Sequence, residues 1–377
     1  MREEIVDRLR GAMREQGFDA LLACSPENVA YLTGLVVPSQ PLMRWRHAFG
    51  IVPLDGPTAM VVVDMEAHTV RERVPGPRYY VWREFAADCI AVVAEALRDL
   101  GLAGARLGLE LDYLPARDFA ELRECLPSAH LEAAGGLFAR QREIKTPDEV
   151  DLLRRLSRLT DAALHDALAS VGPGSTEMEL AGALTSGIYR RGAESFKLLI
   201  VASGERSQYP NVGPTERRLR DGDLIRLEIF GVLQGYQAGV CRTGVVGTPT
   251  AEQERIWRNL VESKYLLLDL LRPGASSDAI YAAYVRKFGE LGLGQPISFV
   301  GHGIGLHLHE EPYLGGGPDR RLEAGMVLGV EPLLYLPGAF GLQLKDMVAI
   351  TPAGCELLSD YTATDALFPI GHSARAR

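Results

Sequence analysis

The first 140 residues alternate helical and strand-like hydrophobic patterns. Ile5, Leu9 and Met13 recur at helical spacing and predict an amphipathic helix over residues 3–17. Short apolar runs and further helical segments follow: we predict strands at 20–23, 48–53, 59–63, 79–82 and 106–111, and helices at 27–35 and 88–100. Such alternation is typical of an α/β layer with a partly parallel sheet.

A helix start signal divides the chain near residue 140. Thr146 is placed to cap a helix, Pro147 to occupy its first position and Glu149 to complete a capping box. Beyond it the pattern predicts helices to about residue 171 and at 177–190, 251–271 and 277–291, and strands at 198–202, 224–231 and 240–246. We therefore predict two α/β domains, residues 1–140 and 141–377.

Composition narrows the classes of protein that are possible. A chain of 377 residues is too long for one ordinary core, and 47% hydrophobic with 24% charged residues is typical of a soluble globular protein. A net charge of −9 without a basic stripe argues against a nucleic-acid partner, and no apolar run approaches ~18 residues, which argues against a membrane span. Five scattered cysteines and an N-terminus without a secretory signal indicate a cytoplasmic protein.

Candidate chemistry is concentrated in the second half. Residues 301–312 read GHGIGLHLHEEP, and Glu331-Pro332 and Leu344-Lys345-Asp346 follow; upstream, residues 235–243 read GYQAGVCRT. This order resembles the C-terminal half of the creatinase/prolidase/methionine-aminopeptidase family, the pita-bread enzymes. Residues 25–34 resemble the N-terminal domain of creatinases and prolidases. The resemblance implies an α/β chain with a creatinase-type N-terminal domain, a C-terminal pita-bread domain and a homodimeric assembly.

Five positions in these motifs normally hold two metal ions in the family. The resemblance maps them onto Glu228, Gly239, His302, Glu331 and Lys345. Glycine has no side chain, and the lone pair of a lysine ammonium is occupied by a proton. We therefore expect no dinuclear metal site and no cofactor, although the three remaining side chains leave room for one weakly bound ion.

The same positions supply acid and base candidates. Glu228 and Glu331 repel each other if they lie close together, so one is expected to hold a proton. Lys345 would replace metal charge beside them, while His302 and His309 have the side-chain type that moves protons near neutral pH. The alternatives are simple ion pairing of the glutamates, a surface lysine and structural histidines.

Three further segments are candidates. Cys241 would be a nucleophile if it were a thiolate, but buried inert cysteines are commoner. Tyr209 and Asn211 lie where creatinase has its key histidine, and an asparagine can hydrogen-bond substrate without moving a proton. In creatinase-like dimers an arginine and an aromatic residue of the region that matches residues 43–47 reach the partner's site and hold the substrate carboxylate. The resemblance therefore makes Arg44 and Arg46 candidates for substrate binding; the alternative is a solvated loop.

These expectations combine into a functional hypothesis. We expect a metal-independent hydrolase, creatinase-like or ectoine-hydrolase-like, that cleaves a C–N bond of a small carboxylate-bearing molecule. Glu228 or Glu331 would activate water, and His302 or His309 would protonate the leaving nitrogen. The alternatives are a metal-dependent Xaa-Pro dipeptidase and a non-catalytic binding protein on the same fold.

Overall fold

The computed structural model describes residues 1–371. The chain separates into two compact units, Met1–Arg142 and Glu143–Arg377. Each unit has its own hydrophobic core, one around the N-terminal sheet and one beneath the C-terminal sheets.

The first unit is built on one six-stranded mixed sheet. Its strands are β1 (Ala20–Ala23), β2 (Phe49–Pro53), β3 (Ala59–Val63), β4 (Arg78–Trp82), β5 (Arg106–Leu109) and β6 (His130–Ala133). They lie in the order β4-β3-β2-β1-β5-β6, with antiparallel pairing only at β1–β2 and β2–β3. The helices are α1 (Glu3–Gln16), α2 (Pro26–Thr33), α3 (Asp64–Arg73), α4 (Cys89–Asp99), α5 (Ala116–Cys125) and α6 (Gly135–Glu143). The predicted partly parallel α/β layer is confirmed.

Within residues 143–371, the second unit contains four α-helices, a short 3-10 helix (Gly204–Gln208) and three sheets. The helices are α7 (Pro147–Ala169), α8 (Glu177–Arg190), α9 (Ala251–Leu270) and α10 (Ser277–Glu290). The strands are β7 (Ser195–Ser203), β8 (Leu224–Leu233), β9 (Tyr236–Val246), β10 (Gly301–Gly303), β11 (Glu310–Leu314), β12 (Val327–Val330), β13 (Leu333–Leu336), β14 (Phe340–Gln343), β15 (Asp346–Thr351), β16 (Gly354–Leu357) and β17 (Phe368–Ile370). They form sheets of order β17-β9-β8-β7 and β11-β10-β12-β15-β16, with β13 and β14 as a separate pair.

Helix α7 starts where the sequence predicts. The Thr146 hydroxyl accepts from the Glu149 N–H at 3.2 Å, and the Glu149 carboxylate accepts from the Thr146 N–H at 2.7 Å. The same capping box starts α8 at Thr176 and α9 at Thr250. Each box satisfies two N–H groups that the first turn of a helix leaves without partners.

Strands β8 and β9 carry the motif residues. They form a fully buried antiparallel hairpin in which Glu228 faces Cys241 and Phe230 faces Gly239. Because strand side chains alternate in direction, Arg226, Glu228 and Phe230 lie on one face of β8. Backbone hydrogen bonds of 3.2 and 3.1 Å join Cys241 to Lys345, which brings the segment before β15 against β9.

Residues 1–371 contain no helix that combines the length and apolar character needed to cross a membrane.

Candidate functional site

A cavity of about 420 Å³ lies in the second unit, and we call it the polar cavity. Its polar lining consists of Asn211, Arg226, Glu228, His309, Glu331, Gln343 and Lys345. Its apolar lining includes the aromatic side chains of Phe230, Phe299 and Tyr335. Five of the ten site residues predicted from sequence therefore line one cavity, and all of its lining comes from the second unit.

Lys345 lies between the two glutamates of the polar cavity. Its Nζ is 3.1 Å from Glu331 Oε2 and 3.4 Å from Glu228 Oε1, and the residue is 1% exposed. The ammonium also lies over the Phe230 ring, 4.6 Å from its centroid. Burial acts to lower the pKa of Lys345, but attraction to Glu331 and Glu228 outweighs it and the pKa is raised. Lys345 is therefore a buried ammonium and not a surface residue.

Gln343 connects the carboxylates to a buried arginine. Its Nε2 donates to Glu228 Oε2 and to Glu331 Oε2, both at 3.2 Å. Its Oε1 accepts from Arg226 Nη1 at 2.8 Å. Burial raises the pKa of Glu331, repulsion from Glu228 adds to this, and Lys345 opposes it.

His302 and His309 stack with their ring centroids 3.6 Å apart and their planes at 10°. His302 Nδ1 lies 2.8 Å from the Gly303 carbonyl, so its proton belongs there and leaves a lone pair on Nε2. That buried Nε2 has no hydrogen-bond partner among residues 1–371 and lies 3.5 Å from Glu331 Oε1.

The surroundings of both histidines favour the neutral imidazole. Burial, reinforced by the charge of Lys345, lowers the pKa of His302 well below its usual value and that of His309 to about 4. A neutral imidazole offers a lone pair but does not serve as an imidazolium acid. This environment weakens the expectation that these histidines protonate a leaving group.

One metal ion fits the donors that are present. His302, His309 and Glu331 each offer a ligand atom, and these atoms lie within 4.8 Å of one another. Neutral imidazole nitrogen and carboxylate oxygen are the donors that zinc and related divalent ions accept. These three side chains would hold the ion; of the two histidines, His302 is fully buried and His309 is half-buried.

The two-ion set of the family does not fit. A Cβ placed on Gly239 would lie within 2.7 Å of three Phe230 ring carbons, so Phe230 fills the space that an aspartate would need. The other lost ligand, Lys345, places an ammonium between Glu228 and Glu331. The Phe230 ring and the Lys345 ammonium lie next to each other, so together they leave no room for a second cation in this part of the site.

Cys241 lies outside the lining of the polar cavity. It is fully buried, with Sγ 3.7 Å from the Gln343 carbonyl. Burial, with a contribution from Glu228, raises the pKa of this thiol well above its usual value. The thiolate that a nucleophile requires is therefore disfavoured at neutral pH.

The remaining predicted residues have different surroundings. Asn211 lines the polar cavity, whereas Tyr209 contributes a backbone carbonyl that accepts from Arg226 while its side chain is half exposed. In the first unit, the Arg46 guanidinium donates to both carboxylate oxygens of Glu84 at 2.8 Å, so it already binds a carboxylate of the protein itself. Arg44 lines a separate cavity of about 400 Å³ in that unit.

Sequence reasoning missed Arg226, Gln343 and Phe230. The available signal was period-two alternation: Arg226 and Phe230 flank Glu228 two residues away on either side, and Gln343 precedes Lys345 by two. An arginine within the apolar run of residues 224–233 also needed an explanation.

Comparison with known proteins places these observations in a family. The sequence model of metallopeptidase family M24 matches residues 151–352, and that of the creatinase/prolidase N-terminal domain matches residues 5–144. The Xaa-Pro dipeptidase of Pyrococcus furiosus is 26% identical over 95% of this chain and 98% of its own. The probable dipeptidase PepE of Mycobacterium tuberculosis is 28% identical over 91% and 90%.

Solved structures agree with the sequence comparison. A Xaa-Pro dipeptidase from Bacillus anthracis superposes with a TM-score of 0.85 at 26% identity, covering 98% of this chain and 99% of that one. The prolidase from Pyrococcus horikoshii gives 0.83 at 25% identity, over 95% and 99%. The predicted fold, a creatinase-type domain followed by a pita-bread domain, is confirmed.

The same findings contradict the expected function. We expected a metal-independent hydrolase of the creatinase-like branch with doubtful peptidase activity. The matching family is one of metallopeptidases, and the relatives are named dipeptidases and prolidases. The metal-independent interpretation is wrong, and the dipeptidase alternative is the better supported one.

Proposed function

Because the chain belongs to metallopeptidase family M24, we propose that it is a dipeptidase that hydrolyses Xaa-Pro or similar short peptides. The observation that carries this proposal is the group of His302, His309 and Glu331 beside a cavity of about 420 Å³. A cavity of this size accommodates a small molecule rather than a folded protein. The names of the full-length relatives support the substrate class.

His302, His309 and Glu331 would hold one divalent ion, which supplies a polarising charge and an acidified water when bound. The residues around it do the remaining work. The ammonium of Lys345 orients Glu228 and Glu331 and provides fixed positive charge where negative charge develops on the peptide oxygen. Glu228, held by Gln343 and Lys345, is the base that removes a proton from water and returns it to the leaving nitrogen.

Hydrolysis of Ala-Pro and other Xaa-Pro dipeptides tests this proposal. We expect cleavage by protein supplied with manganese, loss of cleavage after chelation and recovery when manganese is restored. His302→Ala should abolish this response, whereas His68→Ala, at an exposed position in the first unit, should retain it. No cleavage with manganese, zinc or cobalt would contradict the proposal.

A second candidate is a peptide-binding protein without turnover. The ammonium of Lys345 between Glu228 and Glu331, together with the closed space at Gly239, favours it, because both remove features on which two-ion catalysis depends. Calorimetric binding of Ala-Pro without cleavage under every metal condition would support this candidate over the first.

We also propose a cytoplasmic homodimer. Support for the compartment comes from five cysteines that are all free in the structure. Light scattering tests the assembly, and a monomer at working concentration would exclude it. The domain boundary at residues 140 and 141 likewise stays a prediction.

A further inference from the structure

Arg226 is a buried cation without an anionic partner. The residue is 0% exposed, and no carboxylate of residues 1–371 lies within 4.0 Å of its guanidinium. An arginine side chain stays protonated in proteins, so its charge cannot be removed by titration. Burying such a charge is unfavourable unless an opposite charge compensates it.

The contacts of Arg226 are all with neutral oxygens. Nη1 donates to Gln343 Oε1 at 2.8 Å and to the Tyr335 hydroxyl at 3.3 Å. Nη2 donates to the Pro210 carbonyl at 2.7 Å and to the Tyr209 carbonyl. Nε is buried and has no partner in the described part of the chain. The guanidinium is thus held in place while one donor is unused.

A second buried arginine, on the neighbouring strand, has its charge compensated by carboxylates, as is usual for buried arginines. Arg242 of β9 binds Asp161 through two nitrogens at 3.0 and 2.8 Å and lies 2.9 Å from Asp346. Both arginines are almost completely buried, yet one has two carboxylates and the other has none. Only Arg226 lines the polar cavity. Of the two arginines, Arg226 alone is therefore placed to meet an anion that enters the polar cavity.

The glutamates of the cavity do not fill this role. Gln343 lies between them and Arg226, accepting from the guanidinium with its oxygen and donating to both carboxylates with its nitrogen. Arg226 precedes Glu228 by two residues on the same face of β8, which separates the two side chains by ~6.6 Å along the strand. One residue of an extended peptide spans ~3.6 Å, so a peptide end at Arg226 places its last amide bond toward Glu228 and Lys345.

We propose that Arg226 binds the C-terminal carboxylate of the substrate, with Asn211 beside it as a second polar contact. This assignment rests on the proposed dipeptidase function and names its substrate class: dipeptides with a free carboxylate, to the exclusion of amidated peptides. It also moves the carboxylate anchor from Arg44 and Arg46, where we expected it, to a residue of β8.

The test compares Ala-Pro with Ala-Pro amide. Charge-assisted hydrogen bonds are strong enough that we expect kcat/KM of the wild-type protein to favour the acid by about 10- to 100-fold, mainly through KM. Arg226→Met should reduce this preference to within about threefold, and Arg226→Lys should restore part of it because the charge is kept. Arg255→Met, at an exposed position of α9, is the matched control and should keep the full preference.

Failure of this inference can be separated from failure of the proposed function. Equal rates for acid and amide in the wild-type protein would overturn the inference while hydrolysis itself stands, and this comparison needs no variant to fold. If neither dipeptide is cleaved, calorimetry with L-proline and prolinamide decides. If proline binds at least about tenfold more tightly than prolinamide, and Arg226→Met abolishes this difference, Arg226 binds the carboxylate even though the protein does not cleave the dipeptide. Equal binding of the two compounds, or no binding of either, would overturn the inference.

Discussion

Lys345 is the residue on which both carboxylates of the polar cavity depend. Removing one partner of a buried ion pair leaves the other charges desolvated without compensation. Lys345→Met keeps the length of the side chain and removes its charge, so we expect the free energy of unfolding to fall by about 3–5 kcal/mol in urea titrations.

Lys197→Met provides the matched control for that substitution. Lys197 is exposed on β7, in the same sheet as Glu228, and has no ion pair among the described residues. We expect its loss to change the free energy of unfolding by no more than about 0.5 kcal/mol. A Lys345→Met effect as small as this would show that the carboxylates do not need the ammonium.

The thiol of Cys241 gives a second prediction for a single residue. Its raised pKa means that the reactive thiolate, which forms only as pH rises through the pKa, is scarcer at pH 8 than for an ordinary cysteine. Mass spectrometry after brief iodoacetamide treatment of native protein should find the half-buried Cys125 modified before the buried Cys24, Cys89 and Cys241.

Substitution completes the test of Cys241. Cys241→Ala should keep dipeptide hydrolysis, because the thiol lies outside the lining of the polar cavity. Rapid alkylation of Cys241 together with loss of hydrolysis would instead restore the nucleophile hypothesis.

Among elements, the β8–β9 hairpin determines which ligands the site can contain. Phe230 and Gly239 face each other across it, and the ring occupies the space in front of the glycine. Gly239→Ala should therefore cost about 1–3 kcal/mol of unfolding free energy through overpacking. In a Phe230→Ala background the same substitution should cost nearly nothing, because the ring is gone. Urea titration of the four proteins of this cycle measures the coupling; equal costs in both backgrounds would contradict the contact.

Local signals allowed much of the fold to be predicted. The capping box at Thr146 and the helical spacing of Ile5, Leu9 and Met13 depend on residues close in sequence, and both helices form as expected. By contrast, β6 is a four-residue, partly exposed strand without an alternating apolar pattern, so only its pairing with β5 identifies it.

Long-range contacts explain what the sequence did not reveal about the site. Arg226 and Gln343 are separated by 117 residues, and nothing local to either one indicates their hydrogen bond. The motif order predicted that Glu228, Glu331 and Lys345 lie together, and they do. The error was to conclude from two lost ligands that the hydrolase is metal-independent. The approach of His309 to His302 and Glu331 was visible only in three dimensions.

For the whole molecule, net charge and site charge have separate consequences. The chain carries a formal charge of −9, but a zwitterionic dipeptide has no net charge, and salt screens exposed charges beyond ~8 Å. Long-range attraction therefore contributes little to substrate capture. The protein therefore has to distinguish substrates by short-range contacts in the second unit. The buried guanidinium of Arg226, which has no carboxylate partner among the described residues, can provide such a contact.

Metal binding should stabilise the molecule unevenly. A ligand that binds only the folded state at about 100 times its Kd adds about 2.7 kcal/mol to the free energy of unfolding. With manganese at about 100 times its Kd we expect the free energy of unfolding to rise by this amount. We expect the protein to bind about one equivalent of manganese, because the two-ion set does not fit. Hydrogen exchange should slow in Gly301–Gly303, Glu310–Leu314 and Val327–Val330 of the second unit and stay unchanged in Met1–Arg142. His302→Ala should lose both effects and His68→Ala should keep them; two tightly bound equivalents, or protection that survives His302→Ala, would contradict a single ion at this site.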